Sequence, residues 1–173
     1  MIIGISGKLG SGKTTCAEKL TTILDDGTIK NFADRLKYLA SIIFKFDLKL
    51  AYENKNFYLD EWDMTVGETL QFVGQSFREQ FGDNFWIKQV NIEPEKYNFI
   101  ADLRYKNEAE WIKSQGGIVI RLNGDPDNIR KNSKRNKTHI SEIDLDDYQN
   151  WDLVIDTDTN SITETVKHIL QIL

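Results

Sequence analysis

The sequence predicts an α/β fold, a five-stranded parallel sheet flanked by helices. Three observations carry that prediction. Short apolar runs of strand length alternate along the chain with segments whose apolar residues recur at helical spacing. A glycine-rich motif, Gly7-Lys8-Leu9-Gly10-Ser11-Gly12-Lys13-Thr14, joins the first such run to the first helical segment and matches the phosphate loop G-x-x-x-x-G-K-[ST]. Two stretches break the alternation: a long helical one between the second and third strands, and a short basic one between the fourth and fifth.

Taken in order, residues 1–6 read as a short buried strand, and residues 15–24 as a helix packed through Cys16, Ala17, Leu20, Ile23 and Leu24. Gly27 opens a turn into a second strand at 28–32. Leu36, Leu39, Ala40, Ile43 and Phe44 mark the next helix. Residues 47–64 show no clean period and read as a loop or short irregular helix. Val66, Leu70, Val73 and Phe77 then form one apolar face, with Thr65 as N-cap and Glu68 completing a capping box. Residues 83–90 suggest a further short helix. The third strand, 98–102, follows a turn at Pro94, and the helix at 107–115 stops at Gly116-Gly117. Residues 118–122 and 153–155 are the fourth and fifth strands. Ile162, Val166, Ile169, Leu170 and Leu173 make the stripe of a closing helix.

With 173 residues and no linker or repeat, the chain is expected to be one domain, and two prolines without low-complexity tracts fit a globular composition. A single cysteine, Cys16, excludes an intramolecular disulfide and fits a reducing compartment. The N-terminus lacks the basic region of a signal peptide, and no stretch approaches the length of a membrane span, so a cytoplasmic location is expected. A net charge of −5 argues against general nucleic-acid binding.

The phosphate loop carries the chemistry. Glycines let backbone N–H groups turn inward around a polyphosphate while the following helix directs its positive end at the same anion. Gly7, Gly10, Ser11, Gly12, Lys13, Thr14 and Thr15 are the candidate nucleotide-binding residues. Lys13 would reach the β- and γ-phosphates, and the Thr14 hydroxyl would bind Mg²⁺. At the end of the third strand, Asp102 can hold Mg²⁺ through water, orient an acceptor, or cap the next turn. Arg104, two residues on, can bind phosphate bidentately. Glu108 on the next helix is open between dipole stabilisation, a solvated face and ligand contact. For Lys37 and Arg78 a solvated helix face is the alternative to a ligand. Residues 130–137 carry five positive charges in eight positions. A nucleic-acid patch, a solvated loop and a phosphate-closing lid compete there. Position between strands four and five favours the lid, with Arg130 and Arg135 as its phosphate-bridging groups. His139 reads as a polar contact near the lid hinge, and His168 as surface. Trp86 offers either a stacking surface for a base or ordinary core packing. A sheet with an acceptor-binding insert (about 33–92) and a lid (about 124–141) is the plan of small-molecule kinases. The base-reading N-K-x-D motif of a GTPase switch is not found in the sequence.

Beyond the phosphate loop, four stretches carry a resemblance: Phe32-Ala33-Asp34-Arg35-Leu36-Lys37; Leu70-Gln71-Phe72-Val73-Gly74 with Arg78 and Trp86 downstream; Asp102-Leu103-Arg104-Tyr105-Lys106-Asn107-Glu108; and His139-Ile140-Ser141-Glu142 followed by Trp151-Asp152-Leu153-Val154-Ile155. Together they resemble the phage-type deoxynucleoside monophosphate kinases of the P-loop nucleoside and phosphomevalonate kinase superfamily. The resemblance implies that Lys8, Lys37, Arg78, Trp86, Asp102, Arg104 and Glu108 surround an acceptor nucleotide and that the basic segment is the lid. Relatives often carry aspartate where this chain has Thr14, so that aspartate's role does not transfer. The expected activity is transfer of the ATP γ-phosphoryl to a deoxynucleoside 5′-monophosphate, with ATP and Mg²⁺ as cofactors and Thr14 and Asp102 on the metal. Lys13, Asp102, Arg104, Arg130 and Arg135 are the expected catalytic groups. Phosphomevalonate is the rival acceptor, and an ATPase or nucleotide switch is the rival class. The expected partner is a small molecule rather than nucleic acid or membrane, in a host cytoplasm if the chain is phage-encoded. The oligomeric state, a homodimer included, stays open.

Overall fold

The computed structural model describes residues 1–128 and 139–173. Along the chain they form β1 (Ile2–Gly7), α1 (Lys13–Ile23), β2 (Gly27–Lys30), α2 (Asp34–Ile43), α3 (Leu48–Glu53), the short strands β3 (Tyr58–Leu59) and β4 (Met64–Thr65), α4 (Val66–Phe81), β5 (Tyr97–Leu103), α5 (Lys106–Ser114), β6 (Ile118–Asn123), the single turn α6 (Ile140–Ile143), β7 (Leu153–Asp156) and α7 (Ile162–Leu170). They divide into two units, Met1–Asn31 with Asn91–Leu173, and Phe32–Val90.

The first unit is built on a parallel sheet in the order β2-β5-β1-β6-β7. Its middle strand has to be apolar on both faces, because helices cover both sides of such a sheet. Residues 2–5 of β1, Ile-Ile-Gly-Ile, meet that demand and are all buried. Gly4 has no room for a side chain, since a Cβ there would lie 2.5 Å from Ile112 Cδ1 of α5. Ile3 and Ile5 pack with Phe99, Ile120 and Leu122 against Cys16, Ala17 and Leu20 of α1 and Val166 and Ile169 of α7. With all strands parallel, β1, β5, β6 and β7 end at one edge of the sheet, where ligands of this architecture bind.

The second unit is helical. α2 and α4 pack around Leu36, Ala40, Phe44, Leu70, Val73 and Trp86, with Ala51 of α3 in the same core. α4 starts where the sequence places it: Thr65 N donates to Glu68 Oε2 at 2.7 Å, and Glu68 N donates to Thr65 Oγ1 at 3.2 Å.

Several expectations are corrected. The first helix starts at Lys13, inside the motif. Extended backbone at Leu24 turns that residue toward the core, and Ile23 is left exposed. Residues 47–64 hold α3, which Asp47 caps through its carboxylate to Lys49 N, and a small hairpin whose strands are too short to show a period of two. Only Ile87–Gln89, a 3₁₀ turn, forms within 83–90, because the backbone turns extended at Val90. The turn α6 was not foreseen. Four residues are below the length at which periodicity can speak.

Candidate active site

Two glycines explain how the phosphate loop can exist. Gly7 has no space: a Cβ would sit 2.3 Å from Ser11 Oγ and 2.4 Å from Leu122 O. Gly12 has space but a left-handed backbone, φ 82°, which favours glycine. The loop delivers the chain into α1 with no side-chain cap and no acidic residue in the first turn. The amides at this helix end therefore keep their positive potential for an anion. Lys13 Nζ donates to Lys8 O at 2.7 Å, so the side chain lies along its own loop. Thr14 and Thr15 are exposed on the first turn of the helix.

Three cations of the first unit border one small cavity, with Ser6, Leu103 and Leu145 also in its wall. Lys8 comes from the loop, Arg104 from the residue after β5, and Arg121 from β6. Arg104 Nη1 pairs with the Glu142 carboxylate and donates to Ser141 O at 3.2 Å. Lys8 Nζ pairs with Asp146 and donates to Glu142 O. Arg121 Nη2 lies 3.5 Å from Asp146 Oδ1, and its Nη1 is 3.4 Å from Ser6 Oγ. Arg121 and Asp146 stand in no motif of the sequence, and Glu142 enters it only as the end of the stretch His139-Ile140-Ser141-Glu142. A signal for Arg121 existed, one charge in the otherwise apolar run Ile118-Val119-Ile120-Arg121-Leu122. Asp102 lies next to Leu103, which pairs with Ser6 of β1, so the aspartate stands at the same sheet edge as the loop.

Glu108 is buried, which corrects the solvated-face alternative. It is 2% exposed, and its Oε2 accepts from Arg104 N at 3.0 Å and Tyr105 N at 3.1 Å. It holds the backbone that carries Arg104. His139 caps α6, its Nδ1 accepting from Ser141 N at 3.2 Å.

In the second unit, Lys37 and Arg78 are both buried, which corrects the solvated-face alternative. Lys37 Nζ stands 3.5 Å from Asp34 Oδ1 and 3.9 Å from the centroid of the Tyr52 ring. Arg78 Nη1 donates to Asp83 O at 2.6 Å. Trp86 is 3% exposed, donates from Nε1 to Gly74 O at 3.0 Å, and packs on Phe77 and Phe85. Of its two readings the structure gives it core packing. The sequence could not separate them, because burial of an indole depends on partners distant in the chain.

A cavity of about 440 Å³ adjoins the phosphate loop, between Gly10, Gly12 and Thr15 on one side and Thr157, Asn160 and Ser161 after β7 on the other. Its size and its position beside the helix end suit the nucleoside part of a triphosphate, and nothing in the motif announced it. Among the described residues no group of three or more His, Cys, Asp or Glu could cage a metal. Mg²⁺ takes few protein oxygens and completes its shell with phosphates and water, so the exposed Thr14 hydroxyl on the first turn of α1 suits it without such a cage. Arg130 and Arg135 lie outside the described residues. No helix among those described is long and apolar enough to cross a membrane.

No protein-family profile matches the chain. Among solved structures it is similar to shikimate kinase from Aquifex aeolicus (14% identity, TM-score 0.49, 99% of this chain and 95% of that one) and to thymidylate kinase from Candida albicans (18%, 0.46, 99% and 89%). Among curated proteins it is 31% identical over 176 residues to the "Putative deoxynucleotide monophosphate kinase" of Acanthamoeba polyphaga mimivirus, covering 90% of this chain and 87% of the relative. A match of that extent, on a sheet edge that joins a phosphate loop to clustered cations, means that the chain belongs to the deoxynucleotide monophosphate kinase family and is an ATP-dependent phosphotransferase.

Proposed function

We propose that the chain transfers the γ-phosphoryl of ATP to the 5′-phosphate of a deoxynucleoside monophosphate, yielding the diphosphate. The observation that carries this reading is the placement of Lys8, Arg104 and Arg121 beside the phosphate loop at the carboxyl edge of the sheet. Donor and acceptor are both phosphates, and this edge offers two adjoining anion-binding devices. The loop amides and Lys13 hold the donor's β- and γ-phosphates, and the cavity beside Thr157 takes its nucleoside. The acceptor phosphate belongs to the three cations, with Glu108 keeping Arg104 in place.

Phosphoryl transfer asks little covalent chemistry of the protein, so catalysis rests on alignment and charge neutralisation. Lys13 and the helix end face the charge that develops on the transferred group. Asp102 orients the acceptor or the metal's water shell. Mg²⁺, when bound through Thr14 and the phosphates, supplies further neutralisation of the triphosphate. Lys37 and Arg78 are further acceptor contacts by resemblance.

A coupled assay of ADP release tests the reading across deoxynucleoside monophosphates, ribonucleoside monophosphates and phosphomevalonate. Deoxynucleotide-dependent turnover is expected. Turnover with phosphomevalonate alone would reassign the acceptor, and release independent of any acceptor would make the chain an ATPase.

A further inference from the structure

We propose that Lys8, Arg104 and Arg121 form a single phosphate site whose resting occupants are the carboxylates of Glu142 and Asp146. Acceptor binding is then an exchange of carboxylate for phosphate. The proposal rests on the acceptor reading above and adds Arg121, an occupant and a consequence for motion.

The three cations come from three separate elements and converge on the same cavity wall. One short stretch presents four acceptors to them: Ser141 O, Glu142 O, the Glu142 carboxylate and Asp146 Oδ1. The two carboxylates carry two negative charges, the charge of a phosphate monoester dianion, and present oxygens as it would. The space left between the groups is about 10 Å³, room for one water at most. Residues 141–146 hold the polar groups of these cations that a phosphate would take, while the Lys8 and Arg104 side chains each stay 26% exposed.

The Arg104–Glu142 side of the arrangement is the enclosed one and the Asp146 side is open. The Glu142 side chain is 9% exposed and that of Arg121 13%, whereas that of Asp146 is 47% exposed. Arg121 is held from several sides, by Ser6 Oγ, by Asn123 Oδ1 at 3.2 Å, and by the Trp151 ring, whose centroid is 5.7 Å from Cζ. A buried strand tolerates a guanidinium only if anions are supplied to it. In the resting chain this segment supplies them. A second dianion could not enter without driving the first carboxylates out, because like charges at this separation repel strongly. Two consequences follow. Phosphate affinity is reduced by the fraction of molecules whose site is self-occupied, and the arriving phosphate releases residues 139–147 from the sheet edge.

The competing role for Glu142 is positioning, in which its carboxylate merely steadies Arg104. The two roles predict opposite signs. The experiment is calorimetric titration of inorganic phosphate into the chain saturated with AMP-PNP and Mg²⁺, so that the phosphate loop is already filled. Glu142→Gln and Asp146→Asn should each bind phosphate about tenfold more tightly than the unmodified chain, the scale of one charge-assisted hydrogen bond. Arg121→Ala should bind it about tenfold more weakly. Unchanged or weaker binding in either carboxylate variant, or unchanged binding in Arg121→Ala, overturns the proposal. If a variant does not fold, hydrogen exchange on the unmodified chain decides. Phosphate should accelerate exchange at residues 140–146, and unchanged or slowed exchange there overturns the exchange mechanism. Inorganic phosphate has no nucleoside, so failure of deoxynucleotides as acceptors in the coupled assay leaves this result standing.

Discussion

Lys13 shows how little of a functional side chain's value is structural. Its Nζ donates within its own loop, to Lys8 O and more distantly to Ser11 Oγ at 3.4 Å, and it contributes nothing to the apolar core. Lys13→Ala should therefore fold normally and lose on the order of 10²- to 10³-fold or more in kcat, as expected when a preorganised donor to developing charge is removed. Thermal unfolding and steady-state kinetics together check this. Near-normal turnover in a folded variant would remove Lys13 from the donor site. Glu108 illustrates the converse. The sequence leaves it open to ligand contact, whereas its carboxylate accepts two backbone N–H groups at the turn from β5 into α5. It holds the backbone that carries Arg104.

Two local devices set where secondary structure begins. In α4, the reciprocal bonds of Thr65 and Glu68 satisfy amides that have no partner within the helix. The Thr65 hydroxyl, and after it the Thr65 backbone N–H, donate to the Glu68 carboxylate and pull it below its ordinary value. Thr65→Ala should cost about 0.5–2 kcal/mol, read as a lower denaturant midpoint at unchanged slope. At the entry to β5, Glu93 pairs with Lys30 at 2.5 Å and Lys96 at 2.8 Å, and buried Asn98 ties down the same turn through Glu93 O and Lys96 O. The hydrogen bonds from the two lysines hold the Glu93 carboxyl down to about 2. Its folded value thus lies below its unfolded one, so the pair stabilises the fold above the ordinary carboxylate range. The contribution is lost as the pH falls from about 4.5 towards about 2. The stability difference between the unmodified chain and Glu93→Gln should shrink across that window. A difference that stays constant through it would show that the lysine pairing carries no stability.

The whole fold can be followed from Cys16. It is fully buried between α1 and the sheet, and burial pushes its thiol up to about 12. A neutral, enclosed thiol reacts only when the first unit opens. Alkylation of the native chain should therefore be slow and should track unfolding. AMP-PNP at a hundred times its Kd should add about 2.7 kcal/mol to the folded state and slow labelling about a hundredfold. Fast labelling that ignores the nucleotide would mean that α1 detaches locally, or that the nucleotide does not bind beside it.

The sequence by itself determined the parallel α/β class, the loop and the succession of the main strands and helices. These rest on local patterns: buried runs of β-branched residues, helical stripes, a capping box, and glycines where backbone conformation or space permits nothing larger. Lys13 and Thr14 could be named as candidates because they lie in a motif of fixed spacing, and Asp102 and Arg104 because they close a strand beside it. Only the tertiary structure decided the rest. It turned Trp86 inward and Glu108 onto the backbone, placed Thr157 and Asn160 across from the phosphate loop, and brought Glu142 and Asp146 to Lys8, Arg104 and Arg121. Those pairings join residues more than a hundred positions apart in the case of Lys8. Local periodicity carries no information about such partners; the parallel sheet supplies it, by ending its strands at one edge.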